Sequence, residues 1–372
     1  TTNNSKFGSK CEITNKFIEQ LSKSGIVERS MELSSVKDMK SLKKNDGKKQ
    51  SRLKGIPKLE DANWAGSKNS NSCTLILTEG DSAKSTAMAG LEIVGRDKYG
   101  VFPLKGKLLN VRDIKNIKKI MENTEINNIK KILGLQTDME YKDTTQLRYG
   151  RILILADQDE DGSHIKGLVF NLFDTLWPTL FKNRGFITSM LTPIVKVKHS
   201  KDKFIEFYSI KDFKQWEEKN KGGKWTAKYY KGLGTSTPKE AKQYFKDFKM
   251  VEYTAEESED LELMRMAFSK NPDSSNNRKE WLKTYDKKNI LDYDKPNVSI
   301  SEFVDKDLKH FSTSDNIRSI PSCIDGLKPS QRKVLYGSLK RNLTKTEIKV
   351  AQLAGYISEH AAYHHGEASL QG

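Results

Sequence analysis

The chain reads as an α/β protein: a parallel sheet with flanking helices, followed by a mainly helical unit. Three observations predict this. Thr74-Leu75-Ile76-Leu77-Thr78 and Arg151-Ile152-Leu153-Ile154-Leu155-Ala156 are short continuous apolar runs, the pattern of strands buried on both faces of a parallel sheet. Ile165, Leu168, Val169, Leu172, Phe173 and Leu176 then recur at the spacing of a helix with one buried face,. From Phe303 onward the pattern is helical throughout.

In chain order, residues 1–71 read as a basic arm. Between 34 and 70 apolar residues are few until Ile56, so this stretch is expected to be loop,. Its basic run, 37–54, is either solvated surface or a DNA contact. Residues 72–198 form the α/β unit. Glu79-Gly80-Asp81-Ser82-Ala83, followed by Ala87 and Ala89, fits a tight strand-to-helix turn, and Pro178 ends the second helix,. A third buried strand is expected over 186–197. Residues 199–297 are a charged, aromatic extension carrying Trp216, Trp225, Tyr229, Tyr230 and Trp281. Residues 298–372 hold the helical unit. Lys328-Pro329 opens a helix bearing Arg332, Lys333, Lys340 and Arg341, and Thr344-Lys345-Thr346-Glu347 reads as a capping box for the next,. Gly355 is expected to interrupt that second helix, with another starting over Tyr363–Glu367. This is helix-turn-helix-like spacing, its last helix placed for a major groove.

Lys plus Arg is 65 against 49 acidic residues in 372, a formal charge of +16. Such an excess favours polyanions. No apolar run has the length of a membrane span. Cys11, Cys73 and Cys323 are too widely spaced for a zinc site or disulfide framework,. The start, Thr1-Thr2-Asn3-Asn4 without Met, suggests an excised fragment of an intracellular protein,.

Both sheet strands end in carboxylates, Glu79 after the first and Asp157-Gln158-Asp159-Glu160-Asp161-Gly162 after the second. Ligands of open parallel sheets sit outside the carboxyl ends of the strands. If the strands are neighbours, Glu79, Asp157 and Asp159 converge there. Two carboxylates about 4 Å apart repel by roughly 4 kcal/mol at an effective dielectric near 20. A cluster of three is therefore tolerated mainly when a divalent cation neutralises it, which points to Mg²⁺ chemistry. Asp-x-Asp-x-Asp-Gly also opens an EF-hand loop, but position twelve is Leu168 instead of a bidentate Glu, and a strand precedes it,. A solvated acidic turn capping the next helix accounts for 159–161 but not for Glu79. Lys105 and Lys107 flank Gly106 in the segment 103–110, which suits backbone approach to a phosphate or an ordinary exposed loop. The glycine turn 231–237 resembles a phosphate cradle but lacks the Gly-Lys-Ser/Thr ending of a P-loop, so no ATP site is read from it,.

Together these segments resemble a known family. Glu79-Gly80-Asp81-Ser82-Ala83 and Asp157-x-Asp159-x-Asp161-Gly162 are similar to the two motifs of the TOPRIM fold, a Rossmann-like parallel sheet. With 103–110, 230–237 and Ile320-Pro321-Ser322-Cys323-Ile324-Asp325-Gly326-Leu327-Lys328-Pro329-Ser330-Gln331-Arg332-Lys333, five motifs stand in the order found in type IIA DNA topoisomerases. Tyr363-His364-His365-Gly366-Glu367 and Lys54-Gly55-Ile56-Pro57-Lys58-Leu59 resemble the eukaryotic form, and the Lys- and Asn-rich drift suggests a large DNA virus enzyme. The match runs from about Phe7 to Gly372, so the helical unit corresponds to the N-terminal part of a winged-helix domain.

The resemblance implies an ATP-dependent isomerase that passes one duplex through a transient double-strand break, each subunit of a homodimer cleaving one strand through a tyrosyl-phosphate bond. It implies Mg²⁺, in two sites, on Glu79, Asp157 and Asp159, with Asp161 second in line. It implies contacts to double-stranded DNA from Lys107, Asn110, Arg278, Lys279, Lys328 and Tyr363, with His364 and His365 supporting cleavage. The ATPase region is expected before residue 1 and the nucleophilic tyrosine beyond Gly372, so the fragment alone is expected to be inactive. Arg148-Tyr149 is rejected as the nucleophile pair, because it lies just before the second strand. Location would be the nucleus, or a cytoplasmic replication site for a viral enzyme, with no membrane partner. The alternatives are a TOPRIM nuclease or primase, or a DNA-binding module without catalysis.

Overall fold

The computed structural model describes residues 13–114, 117–200, 203–230, 232–255, 258–293, 295, 297–363 and 366–372. The two apolar runs become β1 (Thr74–Glu79) and β3 (Arg151–Leu155), and they are direct neighbours. With β2 (Tyr99–Leu104) and β4 (Ile187–Met190) they form four parallel strands ordered β2-β1-β3-β4. β8 (Met250–Thr254) adds antiparallel to β4, and β9 (Asn297–Ser299) closes the edge.

Helices cover both faces, which is why the strands carry no polar alternation. On one face Ile76, Leu153 and Leu155 pack against Ala83, Ala87 and Leu91 of the helix Gly80–Val94 and Tyr244 and Phe245 of the helix Pro238–Asp247. On the other face Leu75, Leu77, Ile152 and Ile154 pack with Ile126 and Ile129 of the helix Thr124–Leu133 and Val169, Phe170 and Phe173 of the helix Glu160–Leu176. Each such fully buried aliphatic or aromatic side chain contributes about 1.5–3 kcal/mol relative to leaving it exposed.

Three local expectations are corrected. The strand expected over 186–197 is two strands in two sheets. Pro193 has no N–H for a ladder, and the chain leaves β4 there to begin β5 (Val195–Ser200). β5 is the centre of a small antiparallel sheet with β6 (Lys203–Phe207) and β7 (Thr226–Tyr229), which packs Val195, Val197, Phe207 and Phe213 beside Trp216 and Trp225. The stretch 34–70 is not all loop. The helix Ile26–Lys43 runs into it, and the following segment is tied to the sheet unit by Gly47 N–H to Leu135 O (2.8 Å), Gly66 N–H to Arg148 O (3.1 Å) and buried Ala62 and Ala65. Its backbone is satisfied by partners far away in sequence, which composition does not register. In the helical unit, Pro329–Lys340 forms as expected, but the next helix is Val350–His360 and runs through Gly355. Thr344 instead donates to Asn342 Oδ1 (3.2 Å) in the preceding turn, so the expected capping box is absent. Ile357 of this second helix packs on Gly337 of the first, where a methyl group would meet Ile357 Cγ1 at 2.6 Å.

One helical run, Ile300–Phe303, Val304–Leu308 and Lys309–Ser319, joins the sheet unit to the helical unit, with a π-helical middle turn. That turn carries Asp307 to the buried Lys166 ammonium at 3.1 Å. Among the described residues no helix is long and apolar enough to cross a membrane.

Gly90 touches the Phe245 ring so closely that an added methyl would overlap it. Gly90→Ala should therefore lose up to about 2 kcal/mol of stability, because overpacking of about 1–3 kcal/mol outweighs the roughly 1 kcal/mol gain in helix propensity. Urea melts of Gly90→Ala and of Gly90→Ala with Phe245→Leu check this. The double variant should recover most of the loss, and a stabilised single variant would refute the contact.

Candidate metal centre and its basic surround

The turn after β1 needs positive φ, and Gly80 supplies it at 75°,. This leaves Glu79 at the strand end facing the first residues after β3. Glu79 Oε2 accepts the Asp157 N–H at 3.2 Å. Asp157 Oδ1 in turn accepts the Leu233 N–H at 2.7 Å. Gly232 lies against this carboxylate, where a Cβ would meet Asp157 Oδ2 at 2.5 Å. Asp159 caps the helix Glu160–Leu176, its Oδ1 accepting the Gly162 N–H at 2.8 Å.

The electrostatics follow from burial and like charge. Burial first, then the Asp157 carboxylate, push the Glu79 carboxyl up to about 7 against the lowering effect of its hydrogen bond,. Burial also raises Asp157, with Asp159 adding to it and the Leu233 N–H opposing it. Asp161 behaves in the opposite way. Arg318 donates to both of its oxygens (2.7 and 3.0 Å) and Lys107 to one (2.9 Å), holding this carboxyl well below the usual range.

Glu79 and Asp157 are thus brought together, Asp159 is coupled to them by charge, and Asp161 is engaged elsewhere. Among the described residues no group of three or more His, Cys, Asp or Glu is spaced to hold a metal as it stands, because Asp159 is turned toward its helix and Asp161 toward two cations. The donor chemistry nevertheless fits a hard divalent cation: oxygen donors only, Glu79 and Asp157 partly desolvated, and mutually repelling,. A cleft of about 420 Å³ adjoins it, lined by Gln158, Asp159, Thr192, Tyr230, Gly232 and Ala362.

The basic residues fall into three groups. Lys107 stands beside the cluster on Asp161. Asn110 and Arg278 meet at the end of the helix Ser258–Phe268 instead: Asn110 Nδ2 donates to Phe268 O (2.8 Å), and Arg278 Nη1 to Met266 O (2.8 Å) and Ser269 O (2.7 Å). Asn110 Oδ1 is also used, accepting from Asn171 (2.9 Å) and the Arg112 N–H (3.0 Å). Lys279 is exposed on the helix Pro272–Lys283. Lys328 is the N-cap of Pro329–Lys340, its N–H bonded to Gln331 Oε1 (2.9 Å). Tyr363 is buried next to Ala362, whose φ of 47° is left-handed, and the Lys333 ammonium lies 5.9 Å from the Tyr363 ring centre. His364 and His365 lie outside the described residues. Tyr149 is buried with its hydroxyl on Asp61 at 2.5 Å.

Two participants are not legible in the sequence. Arg318 lies two residues before the 320–333 segment, and its role needs the fold to place it on Asp161. The N–H of Leu233 belongs to the glycine turn that resembles a phosphate cradle; it serves the protein's own carboxylate.

A parallel sheet with carboxylates at the ends of two adjacent strands, one strand feeding a helix through Asp-x-Asp-x-Asp-Gly, defines a Toprim-type domain. Comparison with known families agrees: residues 74–190 match the Toprim domain, 190–316 the C-terminal associated domain of TOPRIM, and 318–372 the DNA gyrase/topoisomerase IV A-subunit family. The chain is 48% identical over 375 residues to DNA topoisomerase 2 of Saccharomyces cerevisiae, covering all of this chain and 26% of that protein. It is 50% identical to that of Bombyx mori over 98% of this chain and 24% of that one. The solved Plasmodium falciparum topoisomerase II DNA-binding, cleavage and re-ligation domain superposes with a TM-score of 0.77 at 53% identity, over 87% of this chain and 44% of that one. The chain belongs to the DNA topoisomerase 2 family, and it spans about a quarter of the length of these curated relatives.

Two outcomes are expected. In EDTA at pH 8, Glu79→Gln should raise the unfolding free energy by about 1 kcal/mol, since it removes one charge of a half-buried repelling pair that solvent partly screens,. A lower melting temperature would mean that the pair is not repulsive. Glu240 tests the brace behind Gly232. Burial alone would raise its carboxyl, but Lys228 (2.8 Å), Tyr230 (2.5 Å) and the Thr237 cap hold it down to about 2. A depressed carboxylate contributes stability above its unfolded pKa. Glu240→Ala should therefore cost about 1 kcal/mol at pH 7, and the difference should shrink as pH falls from about 4.5 toward about 2,. Denaturant melts at several pH values check it.

Proposed function

We propose that this chain supplies the Mg²⁺-binding half of the DNA cleavage and rejoining centre of a type II DNA topoisomerase, an isomerase acting on double-stranded DNA as a homodimer. The observation that carries this reading is the half-buried Glu79–Asp157 pair with the exposed Asp159 beside it, at the carboxyl ends of adjacent strands in a chain of this family. In the whole enzyme, ATP would be used elsewhere in the polypeptide, and a eukaryotic member would act in the nucleus.

Glu79 and Asp157 would hold one Mg²⁺, and Asp157 with Asp159 a second. Bound there, Mg²⁺ supplies Lewis-acid stabilisation of charge developing on a phosphodiester oxygen. The other residues position and neutralise. Lys107 and Arg318 keep Asp161 ionised and out of the cluster. Asn110 ties the loop that carries Lys107, and Arg278 the helix that carries Lys279, to the end of the helix Ser258–Phe268. Lys328, the N-cap of Pro329–Lys340, places positive charge at a helix N-terminus suited to phosphate,. Tyr149, bonded to Asp61, is a buried structural group.

The test uses the full-length enzyme. Asp157→Ala and Asp159→Ala should each lower Mg²⁺-dependent double-strand cleavage by more than about 100-fold, equivalent to roughly 2.7 kcal/mol, with unchanged circular dichroism. Near-normal cleavage by Asp157→Ala would refute the assignment. Metal-dependent nicking without protein-linked DNA would favour a TOPRIM nuclease. Duplex affinity should fall with salt, and Lys328→Ala should lower the log–log slope by about one.

A further inference from the structure

The basic run 37–54 has no part in the cleavage centre, and the fold gives it a place of its own. The helix Thr124–Leu133 crosses the sheet. It starts beside the carboxyl end of β2, where Glu125 accepts the Lys105 N–H (3.3 Å), and it ends where Leu133 O accepts the Arg148 N–H (2.8 Å), just before β3. Its ten residues span about 15 Å,. The loop after Lys43 packs on the far end of this helix, with Gly47 N–H on Leu135 O (2.8 Å) and the Lys130 ammonium on Leu42 O (3.2 Å). Residues 46–50 therefore sit at the edge of the sheet opposite Glu79 and Asp157, with Lys49 on Thr145 O (2.6 Å) and Gln50 O on Arg148 (2.6 Å), while Asn45 just before them reaches Met121 O (3.1 Å).

Charge at this edge is sorted by burial. Residues 37–54 contain eight basic and two acidic side chains. Asp46 is turned inward, to the buried Lys130 (2.8 Å) and to Thr137 (2.6 Å), and Asp38 is half-buried. Lys37, Lys40, Lys44 and Lys48 are exposed, the first three at helical i, i+3, i+7 spacing, and Lys119 and Lys131 are exposed on neighbouring segments,. The stripe from Lys37 to Lys44 is about 10 Å long. No aromatic residue occurs in 37–54 or 117–131, so nothing there can stack on unpaired bases.

We propose that this edge is a second binding surface for duplex DNA, distinct from the carboxylate end, which holds the phosphate backbone without reading sequence. Lysine point charges in a stripe, with Asp46 turned inward, Asp138 taken up by Lys43 (3.8 Å) and no stacking groups, suit a stiff polyanion bearing one charge per about 1.7 Å of axis,. This surface is independent of whether Glu79 and Asp157 take Mg²⁺.

The experiment is a duplex titration of the full-length protein in EDTA at several salt concentrations. The variant Lys37→Ala/Lys40→Ala/Lys44→Ala/Lys48→Ala should bind at least about tenfold more weakly near 150 mM salt, with the log–log slope reduced by about 3.6 units, given about 0.9 counterion per phosphate contact. Replacing the same four lysines by Arg should preserve both. Lys44→Ala and Lys48→Ala singly should each lower the slope by about one, which keeps the test valid if the fourfold variant folds poorly. The loss should be equally large in a Lys328→Ala background, as for independent surfaces. A wild-type slope in the fourfold variant overturns the inference, whatever Asp157→Ala does to cleavage. So does stronger competition by polyglutamate than by duplex of equal charge, which would assign the edge to an acidic protein segment.

Discussion

The parallel pairing of β1 with β3 is the constraint on which the site depends. It puts Thr78 opposite Leu155, so the next residues, Glu79 and Asp157, come into contact whatever the cost of their charges. That cost is borne by the dry, three-layer core beneath them, whose strands are apolar on both faces. The carboxylates cannot separate unless the pairing breaks. Backbone donors moderate the repulsion: the Asp157 N–H serves Glu79, and the Leu233 N–H serves Asp157. Those donors cannot leave the way a flexible lysine could, so the pair stays poised for a cation.

Cationic side chains are used around the site with a division of labour. Arg318 and Lys107 neutralise Asp161, which lies at the start of the helix after β3, and this links the sheet to the helix Lys309–Ser319. His164, below them, is stacked on Phe311 at 3.9 Å and is pushed down to about 4 by burial and by Lys107, so the ring stays neutral. The same connecting helix carries Asp307 to the buried Lys166. Two ion pairs, one buried and one half-buried, therefore fix how the connecting helical run meets the carboxylate end of the sheet. Breaking the buried pair from one side would leave an uncompensated charge, which costs far more than the pair contributes.

What is legible in the sequence is local. The continuous apolar runs announce β1 and β3, the period of Ile165 to Leu176 announces the helix behind them, and the acidic strand ends announce the chemistry. These features depend only on neighbours in the chain, so the order of residues alone suffices to single out Glu79, Asp157 and Asp159 as candidates. Pro193 is a local signal too, yet the apolar stretch around it reads as one long strand, because a missing N–H shows its effect only where a ladder needs it.

The tertiary structure decided what depends on distant partners. It turned Asp161 toward Arg318, which lies 157 residues further along the chain. It drew Asn110 and Arg278 to the end of one helix, and it tied the polar stretch after Lys43 to the sheet through backbone bonds that composition cannot foretell. It also set residues 46–50 of the basic run at the edge remote from the carboxylates. Charge and hydropathy name the residues able to bind an anion or a cation. Only the packing of the backbone determines which of them are already satisfied by the protein itself and which are left for a ligand.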